Sequence, residues 1–159
     1  MTEQLHLRRL QPSESRELHA WILERHYLKT CPPGYRFALE FVTGSERVGG
    51  MLLGRPGARA IDGTLWCELT RMVFLDAAPP NTESRALALM RRFVRTWAPE
   101  VRGLLSYSDA AAGHAGTIYL ADGWAPFGTT RNGDVGWRNR PGRTATGKPT
   151  RKIRWVRTP

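Results

Sequence analysis

The densest run of groups able to do chemistry is Ser106-Tyr107-Ser108-Asp109, followed by small residues at 110–113, then His114 and, five residues on, Tyr119. A carboxylate, an imidazole and a phenol can each carry a proton or hold a metal ion. The small side chains between them let a backbone approach a ligand closely. The run begins where a short apolar stretch, 103–108, ends, and open α/β sheets place ligands at the carboxyl ends of their strands. Each residue also has an ordinary structural use. Asp109 fits a turn at a strand end, His114 a helix cap, and Tyr119 a packed ring with a bonded hydroxyl. No H-E-x-x-H or C-x-x-C spacing marks a zinc site.

Three further clusters carry polar chemistry. His26-Tyr27 stands just before Pro32-Pro33-Gly34, so an imidazole and a phenol sit together at a helix end. Thr70-Arg71 interrupts an apolar run, where an arginine must emerge at an edge or find a partner. Asn81-Thr82-Glu83-Ser84 opens a helix, and Asn81 and Ser84 are candidates to bind an anionic cofactor through exposed amides. Cys31 and Cys67 have no metal spacing and read as reduced structural thiols.

The elements that must position these groups follow from periodicity. A helix is expected over 14–25, capped by Ser13, with Leu18, Trp21 and Ile22 on one face. Tyr35–Val42 and Arg47–Leu53 read as a hairpin turning through Gly44-Ser45, and Leu65–Leu75 as a third strand. A helix over 83–96 buries Leu87, Met90, Phe93, Val94 and Trp97, leaving Arg85, Arg91, Arg92 and Arg95 mostly outside. Residues 103–108 form a buried strand, His114–Asp122 a helix closed by Gly123, and Trp124–Thr130 and Ile153–Val156 late strands. This order predicts an α/β (α+β) sandwich with helices covering a largely antiparallel sheet.

The chain has 159 residues with 41% hydrophobic and 24% charged types, enough for one core and too apolar for wholesale disorder. No apolar run is long enough to span a bilayer and no signal-peptide core lies near Met1, so the expected location is the cytoplasm. Of a net charge of +10, eight positive charges lie after Asp134. They are Arg138, Arg140, Arg143, Lys148, Arg151, Lys152, Arg154 and Arg157, with no acidic residue among them. Trp137 and Trp155 interrupt the charges, a pattern suited to nucleic acid, where each neutralised phosphate releases counterions. Residues 1–137 are accordingly expected to form the catalytic domain. Residues 138–159 are expected to be a basic extension binding DNA through Arg138, Arg140, Arg143, Lys148, Arg151, Lys152 and Arg154.

Together, His26-Tyr27-Leu28, Leu69-Thr70-Arg71, the 79–84 stretch, Ser106–Tyr119 and Gly123-Trp124 resemble the Mom-type DNA modification proteins of Mu-like phages, over about residues 20–140. That resemblance implies a fold of the GNAT acyltransferase kind. It implies an enzyme acting on double-stranded DNA that converts adenine to N6-carbamoylmethyladenine and so protects phage DNA from host restriction. It implies iron as cofactor, with His26, Tyr27, Asp109 and Tyr119 as metal residues, and Tyr27, Arg71, Ser84, Asp109 and Tyr119 as catalytic positions. A small glycine-like donor, its carboxylate gripped by Arg71, is a possible second substrate. Acetyl-coenzyme A is doubtful, because Asp76–Ser84 carries prolines and no glycine where such enzymes cradle a pyrophosphate. Two other readings stand beside this one: a conventional acyl-coenzyme A N-acyltransferase, and a non-catalytic DNA-binding module on the same fold.

Overall fold

A computed structural model describes residues 3–130 and 151–159. Its frame is a seven-stranded sheet. The strands are β1 (Leu5–Leu10), β2 (Phe37–Thr43), β3 (Glu46–Gly54), β4 (Trp66–Phe74), β5 (Gly103–Ser108), β6 (Ala125–Thr129) and β7 (Ile153–Arg157), in the spatial order β1-β2-β3-β4-β5-β7-β6. Every neighbouring pair is antiparallel except β4 with β5. The expected mixed, mostly antiparallel sheet flanked by helices is what forms. The sequence reading lacked β1, whose Leu-His-Leu-Arg-Arg-Leu pattern breaks alternation at Arg9. It becomes an edge strand because β2 offers it a full register from Leu5↔Thr43 to Leu10↔Ala38.

Helix α1 (Pro12–Arg25) starts at Gln11 rather than Ser13. Proline at the first helical position fixes the turn, and the Glu14 carboxylate accepts the Gln11 backbone N–H at 2.9 Å. Leu18 and Ile22 pack with Leu10, Ala38 and Leu52 on one face of the sheet. Gly50 on β3 permits this approach, since a Cβ there would lie 2.6 Å from a Leu18 methyl. The other face buries Phe37, Leu39, Phe41, Met51, Leu53 and Leu69 beneath α2 (Thr82–Trp97) and Tyr119 of α3 (Thr117–Ala121).

Three expectations about the helices change. Trp97, placed in the α2 core stripe, is 60% exposed and lies beside Arg9 and Phe93 instead. Arg91, placed outside it, is largely buried and grips Asp122 with two bonds of 2.8 Å. The expected helix from His114 begins only at Thr117, because Gly113 and Gly116 adopt left-handed φ of 84° and 86°. His114 therefore sits in a loop, after a 3-10 turn at Ala110–Ala112.

The proposed boundary at 137/138 and the residues Arg138, Arg140, Arg143 and Lys148 lie outside the described residues. Beyond them, β7 is inserted between β5 and β6, with Trp155 3% exposed in the core. The last segment is thus a strand of the sheet rather than an appendage to it.

Asp122 ties α2, α3 and β6 together, since it also accepts the Trp124 indole N–H at 2.8 Å. Replacing it with alanine leaves the Arg91 charge without its partner in a mostly dry site. Asp122→Ala should lower unfolding free energy by about 3–5 kcal/mol in a urea titration, while an exposed change such as Arg92→Gln stays near zero.

Candidate functional site

Strands β4 and β5 run parallel for only three pairs, Trp66↔Gly103, Cys67↔Leu104 and Glu68↔Leu105, and then part. The gap between their carboxyl ends is a cleft of about 480 Å³. It is lined by His26 and Tyr27 after α1, by Glu68–Phe74 of β4, by Ser106–Ser108 of β5, by the 113–119 segment and by Lys152. A β-bulge shapes one wall. The β3–β4 register slips between Leu52 and Leu53, leaving Thr70 as the extra residue, and its hydroxyl donates to the Leu52 carbonyl at 3.0 Å. Arg71 then faces the α1 side, opposite Leu52.

Arg71 spends much of its hydrogen-bonding capacity on the protein. Its Nε donates to the Thr30 carbonyl at 2.7 Å, one Nη to the Thr70 carbonyl at 2.6 Å, and the other to Thr30 Oγ1 at 3.3 Å. It pins the loop after His26-Tyr27 against the sheet. One N–H on each Nη remains for a ligand.

His26 closes α1, its N–H bonded to the Ile22 carbonyl at 2.7 Å. Its Nδ1 accepts the Leu28 N–H at 3.2 Å, so a neutral ring carries its proton on Nε2. Burial, then the charges of Arg71, His114, Lys152 and Lys29, lower its pKa to about 4. The Tyr27 ring stacks on His26 at 4.5 Å between centroids and meets His114 at 4.8 Å, a three-ring column at the cleft wall. Burial, and secondarily Asp109, push the Tyr27 phenol up from its ordinary value.

Tyr119 is 6% exposed. Ser106 Oγ donates to the Leu69 carbonyl at 3.1 Å, so at 2.8 Å it receives the Tyr119 hydroxyl proton. Burial raises this phenol to about 12. Its ring stacks on Trp155 at 5.7 Å and meets Trp124 edge-on at 5.3 Å. Gly116 is needed beside it, because a Cβ there would sit 2.1 Å from the Trp155 indole. Asp109 is 5% exposed, and its Oδ1 accepts the Ala111 N–H at 3.0 Å, holding the turn that delivers His114.

The sequence-predicted residues are thus only partly brought together. His26, Tyr27, Arg71 and Tyr119 line the cleft; Asp109 supports it from behind; Asn81 and Ser84 do not line it. Ser84 Oγ donates back to the Asn81 carbonyl at 3.1 Å, and Asn81 takes a left-handed φ of 65°. Of the four residues expected to hold iron, Tyr27 stacks on His26 and interacts electrostatically with Asp109 and Tyr119. The Tyr119 hydroxyl is committed to Ser106, Asp109 caps a turn outside the cleft lining, and the His26 and Tyr27 rings are stacked face to face. Among the described residues no three His, Cys, Asp or Glu side chains gather to hold a metal ion. Of the residues expected on DNA, Lys152 lines the cleft and Arg154 packs over the Tyr107 ring. Glu68 was missed by sequence reasoning, because one acid in a strand gives no periodic signal.

Comparison with known proteins fits this geometry. The model of the Mom protein family matches residues 6–146, which spans the whole cleft apart from Lys152. The chain belongs to the Mom protein family. A relative from Escherichia phage Mu, methylcarbamoylase mom, is 28% identical over 116 residues, covering 68% of this chain and 48% of that protein. The chain therefore matches about half the length of this Mom relative. Among solved structures, a GNAT-family acetyltransferase from Streptococcus pneumoniae superposes with a TM-score of 0.66 at 12% identity, covering 98% of this chain and 99% of that one. The ribosomal-protein-S18-alanine N-acetyltransferase of Escherichia coli gives 0.62 at 12% identity, over 96% and 92% of the two chains. AAC(6')-Ib, solved with ribostamycin and coenzyme A, gives 0.67 at 12% identity, over 98% and 94%. This chain accordingly has the fold of the GNAT acetyltransferases. Among the described residues no helix is long and apolar enough to cross a membrane.

The state of His26 is measurable. Its folded pKa lies below the unfolded 6.5, so unfolding takes up a proton wherever pH lies between those values. Stability should decline as pH falls from about 6.5 towards 4, and His26→Gln should shallow that slope by roughly one proton in urea midpoints measured across the range.

Proposed function

We propose that this Mom-family protein is a transferase that modifies adenine in double-stranded DNA to N6-carbamoylmethyladenine, shielding phage DNA from restriction. The observation that carries this reading is the cleft between the parting β4 and β5, which is built from the residues that carry the family resemblance. The Mu relative is named a methylcarbamoylase, and one of the solved neighbours is named an alanine N-acetyltransferase. Adenine N6 is also an exocyclic amine, though a weakly nucleophilic one.

The chain's own groups support such a step. His26 is neutral and both phenols keep their protons near pH 7, so the cleft's fixed charge comes from Arg25, Arg71 and Lys152 against Glu68, Asp76 and Glu83. Arg71 holds the His26–Thr30 turn in place and keeps two N–H groups for an anionic donor. A target base must leave the duplex stack to reach this depth, at a cost of a few kcal/mol that arginine–phosphate contacts offset.

A conventional acyl-coenzyme A reaction is the second reading, because AAC(6')-Ib holds coenzyme A on this fold. The loop that opens α2 favours it less. Thr82 already spends its N–H and hydroxyl on the Pro79 carbonyl, and the acidic Asp76 and Glu83 line the cleft beside it.

Nucleosides digested from DNA of cells expressing the chain should contain an adenosine derivative heavier by a carbamoylmethyl group on mass spectrometry. Unmodified adenosine alone removes the reading. Duplex binding should also weaken with salt. Because β7 lies inside the sheet, the test replaces Arg138, Arg140, Arg143 and Lys148 by glutamine rather than truncating the chain. The slope of log affinity against log salt should then fall by up to about four. An unchanged slope would show that those residues do not touch DNA.

A further inference from the structure

We propose that a second pocket, beside the cleft on the open side of the sheet, seats the nucleobase next to the one that enters the cleft. The inference rests on the DNA-modifying reading above and adds the site that holds the neighbouring nucleotide. Along β4, Cys67 and Leu69 face the α2 core, so Trp66 and Glu68 face the other way. Leu105 of β5 and its partner Val156 of β7 share that outward side, since Leu104 and Trp155 turn into the core. Helix α1 packs on this side over Leu10 of β1, Ala38 of β2 and Leu52 of β3. Across β5 and β7 there is instead a pocket of about 220 Å³.

Its walls suit a flat aromatic ring. Leu105 and Val156 form an apolar floor, and the Trp66 indole reaches over β5 beside them. Gly103 makes room for that indole, because a Cβ there would sit 2.5 Å from its ring. Phe127 of β6 stands on one rim, 66% exposed, and Ile61 of the 55–63 loop on the other. Sites for drug-sized ligands run from about 300 Å³ upward, so this one takes a single ring system rather than a whole cofactor. Exposed aromatic side chains stack on any base, because every base has a π-face.

Two charged groups belong to the lining, Asp62 and Arg154. Asp62 serves its own turn, its Oδ1 accepting the Thr64 N–H and hydroxyl at 2.8 and 2.6 Å. Arg154 stands where the pocket meets the cleft. It packs over the Tyr107 ring, its Nε donates to the Tyr107 hydroxyl at 3.3 Å, and Tyr107 lines the cleft. Glu68 attracts this charge from the cleft side. One Tyr–Arg pair thus divides the two openings, with a cation placed for the phosphate that joins two successive nucleotides. A base drawn out of the duplex costs its neighbour a stacking partner, and the pocket supplies a replacement.

The test uses the full chain and a synthetic duplex of G·C pairs holding one adenine opposite an abasic residue, which lets that adenine leave the stack cheaply. 5-Iododeoxycytidine beside the adenine, irradiated in the complex, should crosslink to the peptide carrying Phe127 or Trp66. The same probe half a helical turn away should not. Phe127→Ala should weaken binding to this duplex, read by fluorescence anisotropy, about 5- to 100-fold. The slope of log affinity against log salt should stay unchanged, since stacking releases no counterions. Phe127→Trp keeps an aromatic face and should bind within about threefold of wild type. Both variants should melt within about 3 °C of wild type, because the ring is already exposed.

Crosslinks confined to other peptides, or a loss under about fivefold in Phe127→Ala, overturn the inference. A wild-type dimer that Phe127→Ala splits in sedimentation overturns it too, by giving the pocket to a second copy. A larger fall in melting temperature does the same, by giving the ring to the protein's own packing. A wild type that binds no duplex removes the DNA-directed reading and this inference together. Duplex binding that Phe127→Ala leaves unaltered removes this inference alone.

Discussion

The parting of β4 and β5 is the constraint on which the rest of the molecule turns. Two parallel strands that pair for three residues and then separate leave backbone groups that water or side chains must satisfy. Here Ser106 reaches across to the Leu69 carbonyl, and Tyr119 completes the chain by donating to Ser106. The bulge at Thr70 turns the far wall, and its hydroxyl repairs the bond the bulge costs. β7 then pairs the other edge of β5 along its whole length, which holds β5 in its separated path. The opening is therefore built into the sheet and needs no ligand to exist.

Burial sets the chemistry inside that opening. It drives His26 to its neutral form, keeps both phenols protonated and lifts Glu68, all by penalising charge in a poorly solvated space. Arg25, Arg71 and Lys152 face Glu68, Asp76 and Glu83 across the opening.

The GNAT frame and the Mom residues divide the work between them. The frame supplies a sheet whose strands part, a helix on one face and two on the other. Aromatic rings gather in two groups, His26–Tyr27–His114 at the cleft wall and Tyr119 with Trp124 and Trp155 in the core beside it. The second group explains why Gly116 lies beside Trp155 and why the helix after His114 starts late. Packing decides the position of these rings, and hydrogen bonds decide which of their polar atoms stay free.

Local pattern was enough to determine much of this in advance. Apolar, β-favouring runs mark the β2–β3 hairpin, β4 and β5, most of which are buried on both faces, and helical spacing marks α2, which buries one. The clusters around His26, Arg71 and Ser106–Tyr119 stand out because polar groups interrupt those repeats. Tertiary structure alone decided what each group does. Arg91 pairs with Asp122, 31 residues away, and Arg71 with Thr30, 41 away, contacts that no local spacing encodes. The Tyr119 hydroxyl bonds to Ser106, 13 residues away. Lys152 looked like part of a charged tail until β7 entered the sheet and carried it to the cleft. Glu68 gave no signal at all, since its meaning comes from the single place where two strands, distant in sequence, stop being paired.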